Sequence, residues 1–133
     1  MIKGKCFCGA IHYKIEADIL KSGICHCYDC QRLTGGTAWP FIVIPAESLV
    51  VQGETKEFTR DGASGKPVHI SFCGTCGSTI FGKPEVWPHL RIVGASSLDD
   101  KTRFSPDMYV WTEDAPKWTL FDAGIEKFDR SSI

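Results

Sequence analysis

The sequence lacks an apolar run near the ~20 residues that a membrane-spanning helix needs. Its first residues, MIKGKCFCG, lack the apolar core of a secretory signal. Neither charge sign dominates, with 15 Lys and Arg against 16 Asp and Glu, and no block of Lys or Arg offers a basic surface for nucleic acid. From these absences we expect no membrane partner, no nucleic-acid partner and a cytoplasmic location.

Internal repeats, low-complexity tracts and long helical stripes are also missing. With 133 residues, 43% of them hydrophobic and 23% charged, the chain has the composition of one globular domain over residues 1–133. Short alternating segments dominate, as in AIHYKIEA, where Ile11, Tyr13 and Ile15 alternate with polar residues. The pattern predicts a mostly β, antiparallel protein. We expect strands within residues 10–17, 40–45, 49–53, 56–60, 68–73, 90–95 and 107–112, and a short helix over 28–33 that ends at Gly35-Gly36.

Cysteine is the residue type that stands out. The seven cysteines fall into three groups, and seven is an odd number for a set of disulfides. A reducing compartment disfavours disulfides, and scattered buried thiols would not cluster in this way. The clustering therefore indicates metal binding.

Four of the cysteines make a complete zinc ligand set. Cys6 and Cys8 are two residues apart, so in extended backbone both side chains lie on one face. Cys73 and Cys76 form a C-x-x-C turn. Together they predict a closed, tetrahedral, structural zinc site that joins segments distant in sequence and contributes directly to folding.

The remaining three, Cys25, Cys27 and Cys30, lie within six residues. A zinc ion with three protein ligands and one open position is the pattern of a catalytic site. The grouping predicts two Zn²⁺ ions, one structural and one catalytic.

An alternative grouping stays open at this point. Cys27 and Cys30 can instead join Cys73 and Cys76 as a zinc ribbon, which leaves the other three cysteines together.

Other side chains near the second group are candidates for binding or catalysis. His26 lies between two ligands, so its side chain should point away from the metal, and we predict a catalytic role for it. Arg32, Lys83 and Arg91 are candidates to meet an anionic ligand, although each is also explained as a surface charge.

The cysteine motifs resemble those of the glutathione-dependent formaldehyde-activating enzyme family, which shares its domain with a centromere protein. The resemblance covers residues 4–128 and rests on GKCFCGAIHY, CHCYDCQRLTGG, FCGTCG, GASSLDD and MYVWTEDAPKW. It implies the Mss4-like fold, or β-tent, of antiparallel strands pinned by zinc. It also implies the same division of the cysteines into four structural and three catalytic ligands.

The resemblance implies a carbon–sulfur lyase activity like that of S-(hydroxymethyl)glutathione synthase. Such an enzyme forms or cleaves the adduct of a small aldehyde such as formaldehyde with a thiol such as glutathione. Because three thiolates weaken the Lewis acidity of zinc, we expect the metal to bind the thiol rather than to polarise the carbonyl. Two alternatives stay open: a non-catalytic zinc-binding interaction module of the same fold, and a redox sensor or metal store.

Overall fold

The computed structural model describes residues 1–132, which contain eleven β-strands and one α-helix. The strands are β1 Ile2–Lys5, β2 His12–Ile15, β3 Lys21–Cys25, β4 Trp39–Pro45, β5 Leu49–Gln52, β6 Thr55–Asp61, β7 Pro67–Cys73, β8 Thr79–Pro84, β9 Leu90–Gly94, β10 Met108–Val110 and β11 Glu126–Lys127. The helix α1 is Tyr28–Thr34, and single 3₁₀ turns occupy Ala46–Ser48, Ala95–Ser97, Lys101–Arg103 and Thr112–Asp114. No helix in this described part is long and apolar enough to cross a membrane.

The strands form two sheets. The smaller sheet has the order β1-β2-β5, and the larger has the order β11-β10-β3-β4-β9-β8-β7-β6. Neighbouring strands are antiparallel, except that β10 runs parallel to both β3 and β11. The prediction of a mostly β, antiparallel fold is confirmed.

One apolar core lies between the two sheets. The alternation predicted for residues 10–17 is confirmed, because Ile11, Tyr13 and Ile15 are all buried while His12 is exposed. The larger sheet contributes side chains that are almost completely buried: Ile42, Ile44, Ile80 and Val93. Burial of branched aliphatic side chains from both sheets holds the sheets together.

A close contact fixes the smaller sheet against the turn Ala95–Ser97. The Tyr13 phenol lies 2.6 Å from Ser97 Oγ, which itself donates to the carbonyl of Gly94. The Tyr13 hydroxyl is therefore the donor to Ser97, and burial raises the pKa of Tyr13 to about 12. Gly4 makes room for this contact, since a Cβ there would lie 2.2 Å from the Tyr13 ring.

Each of the seven predicted strands is present, with shifts of a few residues at the ends. The helix extends one residue beyond the prediction and ends at Gly35, whose φ of 73° is left-handed. Sequence reasoning missed β1, β3, β8 and β11.

Candidate metal centres and active site

Four thiols converge between the start of the chain and the turn after β7. We call Cys6, Cys8, Cys73 and Cys76 the four-cysteine cluster; their Sγ atoms all lie within 4.8 Å of one another. The Sγ atoms of Cys6 and Cys8 are 3.6 Å apart, and those of Cys8 and Cys73 are 3.7 Å apart. Cys6 and Cys73 are buried, whereas Cys8 is exposed.

Two tight turns present these thiols. In the first, the amide of Gly9 donates to the Cys6 carbonyl at 3.2 Å. In the second, the amide of Gly77 donates to the Cys73 carbonyl at 2.8 Å. Both glycines have a φ near +80°, a conformation that other residues seldom adopt.

Polar groups of the chain surround the sulfurs of this cluster. The amide of Ile11 donates to Cys6 Sγ at 3.2 Å. Ser78 Oγ lies 3.1 Å from Cys76 Sγ and accepts a bond from the amide of Phe7. Hydrogen bonds from Ser78 and from backbone amides lower the pKa of Cys76 to about 5. These donors stabilise the thiolate form that metal binding requires.

The other three thiols meet at the junction of β3 and α1. We call Cys25, Cys27 and Cys30 the three-cysteine cluster; their Sγ atoms also lie within 4.8 Å of one another. Cys25 ends β3, Cys27 is the residue before α1, and Cys30 lies in its first turn. The amide of Cys30 donates to Cys27 Sγ at 3.3 Å, so Cys27 caps the helix.

Backbone pairing and one glutamine fix this junction. Cys25 is paired with Trp39 of β4 on one side and with Val110 of β10 on the other. The side-chain amide of Gln31 donates, through Nε2, to the backbone carbonyls of His26, at 2.8 Å, and of Asp114, at 3.0 Å. The loop that carries the cysteines is therefore held by a strand and by a turn near residue 114.

Hydrogen bonds within the cluster concentrate negative charge on one sulfur. Bonds from the thiols of Cys25 and Cys30 hold the pKa of Cys27 well below its usual range, and the Arg60 guanidinium adds a smaller stabilisation. The same contacts raise the pKa of Cys25 to about 12 and also raise that of Cys30. These contacts favour negative charge on Cys27 over the other two thiols.

The predicted division of the cysteines into four and three is the arrangement in the structure. The ribbon that would join Cys27 and Cys30 to Cys73 and Cys76 is not formed. Among residues 1–132, no His, Asp or Glu completes the three-cysteine cluster as a fourth ligand.

The His26 side chain is buried beside two aromatic rings. It is 3% exposed, and its ring packs against those of Tyr109 and Phe121, at centroid distances of 5.8 and 5.1 Å. Its Nδ1 is buried and has no hydrogen-bond partner within residues 1–132. Burial lowers the pKa of His26 and favours the neutral ring. Its catalytic role stays a prediction.

The three cations named from the sequence occupy different surroundings. Lys83 pairs with Glu57, and Arg91 donates to the backbone carbonyls of Pro88 and Leu90. Arg32 is exposed and lines a cleft of about 370 Å³.

Sequence reasoning missed three residues that support or lie near these clusters: Ser78, Gln31 and Arg60. Ser78 directly follows the C-x-x-C-G motif, and a hydroxyl at that place was a usable signal. Gln31 and Arg60 had no comparable signal, because each has a partner that lies far away in sequence, Asp114 and Asp29 respectively.

The donor sets fit zinc, which binds thiolate sulfur and takes four ligands in structural sites. The four-cysteine cluster can supply a complete tetrahedral set, and the three-cysteine cluster can supply three ligands.

Comparisons with known proteins give a family match and a structure of similar fold. Residues 1–114 match the family model described as "Glutathione-dependent formaldehyde-activating enzyme". A search of curated proteins returns no significant match. A crystal structure of a Rhodobacter sphaeroides protein is similar in fold, with a TM-score of 0.57 and 22% identity over 73% of this chain and 87% of that chain.

Proposed function

Because the chain belongs to the glutathione-dependent formaldehyde-activating enzyme family, we propose that it is an enzyme. The proposed enzyme catalyses the reversible addition of a thiol to a small aldehyde. The substrates in this proposal are formaldehyde, or an aldehyde of similar size, and glutathione or another small thiol. The activity is of the carbon–sulfur lyase type. A cytoplasmic location, where glutathione keeps thiols reduced, is part of the proposal.

The observation that supports this activity most is the unequal size of the two clusters. Four thiols saturate a tetrahedral ion, whereas Cys25, Cys27 and Cys30 leave one ligand position for a substrate. A zinc ion held by these three residues would supply a centre that binds the substrate sulfur as a thiolate. We assign the second zinc ion, with a structural role, to the four-cysteine cluster.

The reaction needs no oxidant or reductant. The thiol sulfur forms a bond to the carbonyl carbon, and the π electron pair of the carbonyl moves to the oxygen. That oxygen takes up one proton, and the thiol loses one. The reverse reaction breaks the carbon–sulfur bond and regenerates the aldehyde and the thiol.

The chain supplies a rigid frame for this step. Cys25 is fixed by two neighbouring strands, and Gln31 fixes the loop at His26, so the cluster holds its geometry while substrates exchange. We assign the proton transfer to His26, since its buried Nδ1 has no partner within residues 1–132.

Exchange NMR of formaldehyde with glutathione tests the proposal. The zinc-loaded protein should speed the equilibration above its spontaneous rate, and Cys27→Ala should lose the acceleration. Elemental analysis should find two zinc ions in the wild type and one in the variant. If the protein speeds equilibration with none of several thiols, the non-catalytic interaction module becomes the better explanation.

A further inference from the structure

We propose that Arg60 is the anion-recognition residue of the three-cysteine cluster, and that it selects thiols which carry a carboxylate. The inference rests on the proposed function, because it assigns a chemical class to the thiol that binds there. Four observations support it: the position of Arg60, its unused donor, its charge and the weakness of its present ion pair.

Arg60 comes from a distant part of the chain. It lies on β6, at the edge of the larger sheet, and its side chain reaches α1. Arg60 and Cys30 line the same narrow cleft, together with Thr34, Trp39 and Thr79. The sheet thus places a cation beside the thiols without any signal in the local sequence.

The guanidinium has a donor that the chain does not use. Arg60 Nη1 donates to the Asp61 carbonyl at 3.0 Å and to Asp29 Oδ2 at 3.3 Å. Arg60 Nε is buried and has no acceptor within residues 1–132. Buried N–H groups are nearly always paired. The planar fork of donors on arginine fits a carboxylate, which accepts two bonds at once.

Charge explains why a cation is needed at this place. Three thiolates around a divalent ion carry a net charge of −1, which repels an anionic thiol. The positive charge of Arg60 offsets that negative charge within the cleft that Arg60 and Cys30 both line. Its side chain is only 23% exposed, so water screens it less than it screens a surface arginine.

The ion pair with Asp29 is weak enough to be exchanged. The Asp29 side chain is 55% exposed, and such exposed pairs contribute little. Asp29 therefore occupies the place that a substrate carboxylate would take, and it competes with that carboxylate.

Arg32 offers a matched control, because it is an arginine on α1, the helix that carries Cys30. It lines the 370 Å³ cleft with Tyr28 and Trp118, whereas Cys30 lines the cleft of Arg60. The two arginines therefore face different clefts. Removing either one changes the net charge by the same amount, but only Arg60 shares a cleft with Cys30.

Calorimetry on the zinc-loaded protein tests the proposal with two thiols of matched length, 3-mercaptopropionate and 3-mercapto-1-propanol. The readout is the ratio of their affinities, and comparing this ratio between variants cancels the difference in thiol acidity. Arg60→Gln should lower the preference for the carboxylate about tenfold, as expected for losing bonds to a charged group. Arg32→Gln should leave the ratio unchanged.

Two further variants keep the test decisive if Arg60→Gln fails to fold or to retain zinc. Arg60→Lys should retain part of the preference, since it keeps the charge but loses the fork. Asp29→Asn should tighten binding of 3-mercaptopropionate about threefold, because the competitor is removed.

The outcomes separate this inference from the proposed function. If both thiols bind and the ratio is unchanged in the Arg60 variants, or falls only in Arg32→Gln, the role of Arg60 is overturned and the proposed function stands. Weaker carboxylate binding in Asp29→Asn also overturns it. If neither thiol binds the zinc-loaded wild type, both proposals fail.

Discussion

The two cysteine clusters use the same donor atom, yet they are built from the chain in opposite ways. The four-cysteine cluster joins Cys8 to Cys73, which are 65 residues apart, whereas the three-cysteine cluster lies within residues 25–30. Closing a long loop removes much of the entropy of the unfolded chain, so a metal bound there stabilises the fold. A ligand set drawn from one short segment restrains the chain far less.

The groups that support the two clusters also differ in where they come from in the chain. Around the four cysteines, left-handed glycines and backbone donors complete two tight turns. Around the three cysteines, the supporting groups come from elsewhere: β10 pairs with Cys25, Gln31 reaches Asp114, and Arg60 extends from β6. The first cluster offers four thiols presented by its own turns, whereas the second offers three thiols supported by distant parts of the chain. The proposed function gives the fourth ligand position of the second cluster to a substrate. Three predictions test this contrast.

The largest effect is expected from removing one ligand of each cluster. Cys76→Ala should unfold the chain, because a structural zinc site contributes roughly 10–16 kcal/mol in small domains and a whole domain is stable by only about 5–15 kcal/mol. Cys27→Ala should keep the fold and lose one zinc ion. Far-UV circular dichroism and elemental analysis measure both results. If the two variants unfold alike, the contrast between the clusters is wrong.

A smaller effect is expected from changing Tyr13. This change tests how far side-chain packing, rather than metal binding, stabilises the region of the four-cysteine cluster. Its folded pKa is about 12, above the ordinary value of 10.0. The Tyr13 hydroxyl thus stays protonated to a higher pH in the folded state than in the unfolded state. The contribution of Tyr13 to the free energy of unfolding is therefore complete below pH 10 and is lost as the pH rises toward 12. Stability should then fall by up to ~1.4 kcal/mol per pH unit over this range.

Denaturant unfolding at several pH values compares Tyr13→Phe with the wild type. The variant should be less stable by about 1 kcal/mol below pH 10, because it loses the bond to Ser97, and it should show a smaller slope above pH 10. Tyr28→Phe is the control, since Tyr28 is 56% exposed. An equal slope in Tyr13→Phe and the wild type would show that other groups titrate there.

The smallest effect is expected at Gln31 and concerns the outside support of the three-cysteine cluster. Gln31→Ala removes the bonds to the carbonyls of His26 and Asp114, which should cost about 1–2 kcal/mol of stability. Zinc content should stay at two, while the rate in the exchange NMR assay falls several-fold, because the loop loses its restraint. Gln52→Ala, at an exposed position of β5, is the control and should change neither quantity. A stability loss with an unchanged rate would limit Gln31 to a structural role.

Much of the fold was predictable where side-chain pattern and pairing agree. The alternation of Ile11, Tyr13 and Ile15 identified β2, and the segment around Ile42 and Ile44 identified β4. In contrast, β3 contains Lys, Ser and Gly, which have little preference for strands, and it forms because β4 and β10 pair with it on both sides. The two exposed residues of β11 carry no pattern at all.

The sequence by itself determined the local grouping of the thiols, because Cys25, Cys27 and Cys30 lie within six residues and Cys73 and Cys76 share one turn. It left two groupings of these segments open, and the tertiary structure decided between them by bringing Cys6 and Cys8 to Cys73 and Cys76. The sequence also determined the membership of the family, since the motifs that carry it are local. Only the tertiary structure decided what surrounds the ligands. In the sequence Arg60 is one polar residue of a strand, and it shares a cleft with Cys30 only because the larger sheet places the Arg60 side chain within reach of α1. The spacing of neighbouring residues can be seen directly in the sequence, whereas contacts between distant elements depend on how the whole core packs.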